Sequence, residues 1–181
     1  MRSYEILVGV SAGIAAYKTC SLVSRLRQNG FGVSVAMTKN ATELIAPKTF
    51  EALSGRPVLV HLFDERRDAI PHIEPARRAD VFCIAPATAN VIAKAANGIA
   101  DDFLSTLILA FSGPLILAPA MNCEMWRKPA VQRNVAQLRE DGVIFVGPEE
   151  GHLACGENGV GRMSVPDVIF DKICQTLSGI K

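Results

Sequence analysis

The stretch Glu5-Ile6-Leu7-Val8-Gly9-Val10-Ser11-Ala12-Gly13 decides the fold. A short apolar run ends in glycine and serine, and over residues 12–29 apolar side chains then recur at helical spacing until Gly30 stops them. This is a strand, a turn and a helix, and the chain repeats the unit. Residues 33–37 read as a second strand. Residues 41–53 look helical, with Pro47 near an end or at a kink, and residues 81–85 form a strand closed by Pro86. Helices are expected over 88–100 and 102–110, a buried strand over 115–118, an amphipathic helix over 129–141, a strand over 143–146 and a closing helix over 165–177, begun by Ser164 and Pro166. Near-continuous Val, Ile and Leu strands alternating with helices imply a parallel sheet covered on both faces. The expected class is therefore α/β, a doubly wound sheet in three layers forming one domain over residues 1–181.

Composition bounds the function. Of 181 residues 49% are apolar and 20% charged, which suits a packed core, and the formal net charge of +1 supplies no global field for nucleic acid or an anionic membrane. Any anion must be bound locally. The N-terminal apolar run is too short and too interrupted for a signal segment, and the longest apolar stretch, residues 104–120, is broken by Ser112, Gly113 and Pro114, so no membrane partner is expected. Cys20, Cys83, Cys123, Cys155 and Cys174 are odd in number, with no C-x-x-C pair and no zinc-spaced histidines. Reduced thiols in the cytoplasm and no metal are the expectation.

In a doubly wound sheet the ligand lies beyond the carboxyl ends of the strands, so post-strand residues are the informative ones. Gly9, Ser11, Ala12 and Gly13 would bring backbone N–H groups to a phosphate at a helix N-terminus. The spacing is not that of a dinucleotide fingerprint, and Thr38 and Lys39 stand where an acidic ribose ligand would, which favours a mononucleotide. Thr88, Ala89 and Asn90 suit a ribityl chain, a phosphate or a flavin edge, although Thr and Asn are equally ordinary caps. Asp101 and Asp102 at a helix start read as dipole compensation. His72, in a proline-bounded segment, is a candidate base near neutral pH, with His61 and His152 as competitors. The segment 119–126 places Asn122 between two methionines, Met121 and Met125, and beside the sole tryptophan, Trp126, so that an amide to hold a carboxylate has an apolar wall around it. Residues 151–163, rich in glycine around Cys155, read as a mobile loop carrying a thiol that could donate a proton or attack.

Taken together, His72-Ile73, the P-x-M-N-x-x-M-W segment 119–126 and the Cys-bearing glycine-rich segment 153–163 resemble the flavin-containing cysteine decarboxylases, over essentially the whole chain. The likeness is to the branch acting on phosphopantothenoylcysteine in coenzyme A synthesis. It implies a Rossmann-like flavoprotein fold with FMN held by Gly9, Ser11, Ala12, Thr38, Thr88, Ala89 and Asn90, and Ala120 near the isoalloxazine. Substrate would be held by Asn122, Met125, Ala154, Gly156 and Met163. The implied chemistry is a two-electron oxidation of the substrate's cysteine end, whose thioaldehyde, β to the carboxylate, accepts the electron pair as carbon dioxide leaves. His72 assists proton removal, Asn122 fixes the carboxylate, and Cys155 protonates the enethiol as it is reduced to 4'-phosphopantetheine. Cys155 separates this branch from relatives that stop at the enethiol on a lantibiotic-type peptide, and the His–Cys pairing separates it from flavin prenyltransferases. The acidic extensions of phosphatase-binding relatives are missing. The resemblance further implies homotrimers, often assembled into larger shells up to a dodecamer. The partner that makes the substrate is a phosphopantothenate–cysteine ligase, either a separate chain or the other half of a bifunctional enzyme.

Overall fold

The computed structural model describes residues 3–62, 73–152, 156 and 158–180. Strands β1 (Glu5–Val10), β2 (Gly32–Met37), β3 (Val81–Ala87), β4 (Leu115–Pro119) and β5 (Ile144–Phe145) form one parallel sheet in the order β2-β1-β3-β4-β5. The crossovers run through α1 (Ala16–Gln28), then α2 (Pro47–Ser54) and α3 (Ile73–Arg78), then α4 (Ala89–Ala96) and α5 (Phe103–Ala110), then α6 (Cys123–Arg127) and α7 (Pro129–Glu140). The expected three-layer α/β architecture is what the chain adopts. Its strand order reverses between β1 and β3, which is where such sheets open a ligand crevice.

Alternation along β1 explains the layers. Ile6, Val8 and Val10 point into one core with Leu22, Val23 and Leu26 of α1 and Ile169 and Ile173 of α8 (Pro166–Ser178). Leu7 points the other way, into a core with Phe82 and Ile84 of β3, Leu104 and Leu107 of α5, and Leu138 of α7. Helix α1 buries Ala16, Thr19, Leu22, Val23 and Leu26 along one stripe, and Arg25 and Arg27 in its last turn suit the dipole there. No helix among the described residues is long and apolar enough to cross a membrane.

Several boundaries depart from the sequence expectation for local reasons. Helix α1 starts at Ala16 rather than at residue 12, because residues 11–15 turn at the end of β1, with Gly13 N–H donating to the Ser11 carbonyl at 2.9 Å. The expected helix 41–53 is two pieces. Thr38 caps a short 3-10 turn, Lys39–Glu43, and Pro47, lacking an N–H, opens α2 at its first turn. Strand β3 continues past Pro86 to Ala87 through a register shift between Ile84 and Ala87. Within the glycine-rich segment expected as a loop, the described residues include two paired antiparallel strands, β6 (Glu149–His152) and β7 (Asn158–Arg162).

The sheet's amino end, remote from the crevice, is tied by charge. Both oxygens of Glu5 accept from Arg56, at 2.6 and 3.0 Å, with the two side chains 17% and 27% exposed, and Gly32 leaves the room the carboxylate occupies. The Arg56 hydrogen bonds hold the Glu5 carboxyl below its ordinary value against the opposing effect of burial. Its folded pKa is depressed, so the stabilisation is complete above the unfolded value and fades as pH falls through the folded one. Glu5→Gln is expected to cost about 1–2 kcal/mol at neutral pH. In urea titrations the gap between variant and parent should close below about pH 4, and a gap constant down to pH 3 would remove the ion pair as its cause.

Candidate functional site

The carboxyl ends of β1 to β4 and the β6–β7 hairpin enclose a cavity of about 1270 Å³. Its wall includes Ser11, Ala12 and Gly13 after β1, Thr38 to Asn40 after β2, Thr88 to Asn90 after β3, and Ala120 to Asn122 after β4. The hairpin side adds His152, Gly156, Arg162 and Met163, and α6 adds Met125. Eleven residues assigned to cofactor or substrate from sequence thus share one space: Ser11, Ala12, Thr38, Thr88, Ala89, Asn90, Ala120, Asn122, Met125, Gly156 and Met163.

Gly9 is not in that wall. It lies within β1, where an added Cβ would sit 2.7 Å from Leu104 Cδ1 and 3.0 Å from Ile84 Cγ1, so its missing side chain lets α5 pack on the sheet. His72, Ala154 and Cys155 lie outside the described residues. His61, described but exposed, is not in the wall, whereas His152 is.

Ser11 is the hinge pin of the crevice. It is buried, its Oγ donates to the Pro86 carbonyl at 2.7 Å and accepts from Thr88 N–H at 3.1 Å, and this joins the ends of β1 and β3 at the topological switch point. Its hydroxyl is therefore engaged within the protein, and Ser11 serves the site by fixing backbone. The first turn of α1 beside it has no side-chain cap; Ala16 N–H and Lys18 N–H donate instead to the Gly13 and Ala15 carbonyls, at 2.9 and 3.0 Å. Thr88 caps α4, accepting from Val91 N–H at 3.4 Å, which places Ala89 and Asn90 at the helix start facing the same space. Asn122 caps α6 by accepting from Glu124 N–H at 2.8 Å. The cap and ligand readings of Thr88 and Asn122 are thus compatible, because a capped side chain has its direction set by the helix it caps.

The hairpin is docked directly on the Asn122 segment. Met121 N–H donates to the Gly161 carbonyl at 3.0 Å, and Cβ atoms at Gly159 and Gly161 would sit 2.8 Å from Cys123 Cβ and 2.2 Å from the Met121 carbonyl oxygen. Only glycines permit that approach.

The charged residues of the wall, Lys18, Lys39, Lys94, Asp102 and Arg162, were not legible as site residues, apart from Lys39, which stood out as a departure from dinucleotide binding. Asp102 caps α5 in a reciprocal box with Ser105, and Lys94 lies 2.6 Å from both Asp101 and Asp102. Burial is the strongest single influence on Lys94 and lowers its pKa, but the two carboxylates together outweigh it and the net shift is upward. Of the thiols, Cys83 is wholly buried and pushed up to about 12, and burial raises Cys20 and Cys174 as well, which suits packing rather than chemistry. Among the described residues no cluster of His, Cys, Asp and Glu could hold a metal.

Residues 1–178 match the flavoprotein family. The chain is 48% identical over 170 residues to the coenzyme A biosynthesis bifunctional protein CoaBC of Bacillus subtilis (strain 168), across 93% of this chain and 42% of that protein. It therefore spans less than half the length of the curated relatives it matches. The solved structure of the FMN-dependent cysteine decarboxylase SpaF superposes with a TM-score of 0.84 at 36% identity, covering 97% of this chain and 96% of that one. A mutant PPC decarboxylase complexed with pantothenoylaminoethenethiol superposes with a TM-score of 0.85 at 30% identity, covering 96% and 98%. Family match and fold likeness agree over nearly the whole chain: it belongs to the flavoprotein family.

Proposed function

We propose that this chain is an FMN-dependent carboxy-lyase that converts 4'-phosphopantothenoylcysteine to 4'-phosphopantetheine in coenzyme A biosynthesis. The observation that carries the reading is the convergence of Ser11 to Gly13, Thr88 to Asn90 and Ala120 to Asn122 on one cavity at the β1/β3 crevice. The residues fit a flavin mononucleotide: residues 12–15 and the positive dipole end of α1 border the cavity where its phosphate would lie, Asn90 and Thr38 offer polar edges, and Ala120 has only a methyl group to set beside its ring. At about 1270 Å³ the cavity exceeds the size of a usual small-molecule site, leaving room for cofactor and substrate together. Gly9 supports this site through packing, not contact.

Bound FMN would supply the two-electron acceptor that makes a cysteine carboxylate decarboxylate readily and, once reduced, the hydride that with a proton brings the enethiol to the product thiol. The protein's own tasks are positioning and proton handling. Asn122, aimed by its cap on α6, hydrogen-bonds the substrate carboxylate, while Met125 and Met163 exclude water from it. Gly156 and Ala154 flank the substrate, His72 takes the proton removed during oxidation, and Cys155 returns one to the enethiol product of decarboxylation; these roles rest on the family resemblance. Ile14 and Tyr17, 65% and 59% exposed beside the cavity, suit contact with a neighbouring subunit, and that the assembly is a homotrimer rests on the family resemblance. A cytoplasmic location and a phosphopantothenate–cysteine ligase as partner belong to the same reading.

A second reading has its own support. SpaF, an FMN-dependent cysteine decarboxylase, is 36% identical against 30% for the PPC decarboxylase structure, which keeps oxidative decarboxylation of a peptide's C-terminal cysteine as the alternative, although the 48% identity to CoaBC favours the first. The purified protein, incubated anaerobically with phosphopantothenoylcysteine and followed by mass spectrometry, separates the two. A yellow protein yielding phosphopantetheine supports the first. A product two hydrogens lighter, or flavin binding without turnover, supports the second, and a colourless protein that takes up no FMN sinks both.

A further inference from the structure

Helix α4 is 8 residues long, and of its side chains only Val91 and Ile92 are buried outright. So short an element depends on what holds its two ends. At the first, Thr88 N–H donates to the Ser11 hydroxyl at 3.1 Å, which ties α4 to the end of β1. In the last turn Lys94, its side chain 14% exposed, reaches across to α5 and places its ammonium 2.6 Å from Asp102 Oδ2. Asp102 is itself fixed. Its other oxygen accepts from Ser105 N–H at 2.8 Å, and Ser105 Oγ accepts from Asp102 N–H at 3.0 Å. One carboxylate thus caps α5 and grips α4, while Phe103, Leu104 and Leu107 bed α5 in the core. Asp101 adds a second contact to Lys94 at 2.6 Å, but that carboxylate is 60% exposed and screened accordingly.

Between the two ties stands Asn90. Its side chain is in the cavity wall, and among the described residues its amide has no hydrogen-bond partner. Only the placement of the helix aims it. Lys94 follows Asn90 by four residues, so the two lie one above the other on the same helix face, and both line the cavity. An apolar contact alone would set the distance from α4 to α5 and leave α4 free to turn. A charge-assisted hydrogen bond to a carboxylate already held in a capping box is directional, so it fixes the rotation as well.

We propose that Lys94 and Asp102 are positioning residues that set the rotation of α4 and so aim the Asn90 amide at the flavin mononucleotide. The inference rests on the reading of Asn90 as a cofactor contact made above. Lys94 and Asp102 act through Asn90, their charges being committed to each other and to Asp101.

The test is FMN binding by the apoprotein, followed by quenching of flavin fluorescence, so that turnover is not required. Asn90→Ala should weaken binding about 10-fold in the parent. Lys94→Gln should weaken it about 3- to 10-fold, and in that background the further loss from Asn90→Ala should shrink to about 2-fold, because the amide is no longer aimed. Lys94→Arg keeps the charge and the donors and should return both values to within about 3-fold of the parent. Asp102→Asn gives a second, independent cycle with the same expected shrinkage: asparagine caps α5 as well as aspartate does, so the helix start survives the loss of charge. A pair that merely stabilises the fold would lower the melting temperature yet leave the factor lost in Asn90→Ala the same in every background. That result overturns the inference, and so does an Asn90→Ala variant that binds FMN like the parent. The decarboxylase reading is judged on the parent alone: FMN uptake without turnover of phosphopantothenoylcysteine would refute that reading and leave the cycles decisive.

Discussion

Asn122→Asp is expected to abolish turnover of phosphopantothenoylcysteine, by at least about 1000-fold, while the protein stays folded and yellow. The fold is preserved because Asp caps a helix as well as Asn does, and the interaction that aims the side chain, acceptance from Glu124 N–H at 2.8 Å, needs only an oxygen. What changes is the other half of the group. An amide nitrogen that donates to a carboxylate becomes an anionic oxygen facing one, in a cavity whose apolar neighbours Met121, Met125 and Met163 do little to screen it. The substrate's carboxylate then meets repulsion where it needs a donor. Measurement of FMN content, melting temperature and initial rate on the same preparation separates the effects. A variant with near-parental rate would remove Asn122 from substrate binding, and one that loses its flavin would recast it as a cofactor ligand. Asn122→Ala is the companion variant: it loses the cap, about 1 kcal/mol, and the donor together but adds no charge, so it should retain more activity than Asn122→Asp.

How far the sequence discloses such a site depends on what marks a residue there. The sheet was legible because its strands are continuous apolar runs, and Ile6, Leu7, Val8 and Val10 are all buried. The post-strand rule then located the cavity, since Thr38, Thr88 and Asn122 all follow strand ends. The hairpin was hidden for a physical reason. Along β7 the buried positions are Gly159 and Gly161, while the exposed ends are Asn158 and Arg162, so the alternation that marks a half-buried strand is carried by residues with no side chain to show it. Gly9 misled in the opposite sense: a glycine just before a phosphate-type turn looks like a ligand site, and only the position of Leu104, far along the chain, reveals that it is a packing contact. Lys18 left one faint signal, a lysine early in a helix without an acid beside it.

Gly161→Ala should separate the hairpin's contribution from the sheet's. An alanine Cβ would lie 2.2 Å from the Met121 carbonyl oxygen and 3.4 Å from the Asn122 carbonyl carbon, both backbone atoms that no rotamer change can clear. To reach ordinary contact β7 must retreat by about 1 Å, and the Met121 N–H to Gly161 bond, now 3.0 Å, stretches with it. The two faces of the sheet are packed by other residues, so unfolding stability should drop by only about 1–3 kcal/mol, the usual cost of overpacking. Turnover should suffer far more. The hairpin brings His152, Arg162 and the start of the segment carrying Met163 to the cavity, and a shift of about 1 Å in a positioning element typically costs about 100-fold in rate. The expected pattern is a loss of about two orders of magnitude in kcat/KM with FMN affinity little changed, because the strand-end residues Thr38, Thr88 and Asn90 are untouched. If FMN affinity fell as steeply as turnover, the hairpin would belong to cofactor binding instead. If turnover were parental, the close approach of β7 to Met121 would be packing without consequence for catalysis.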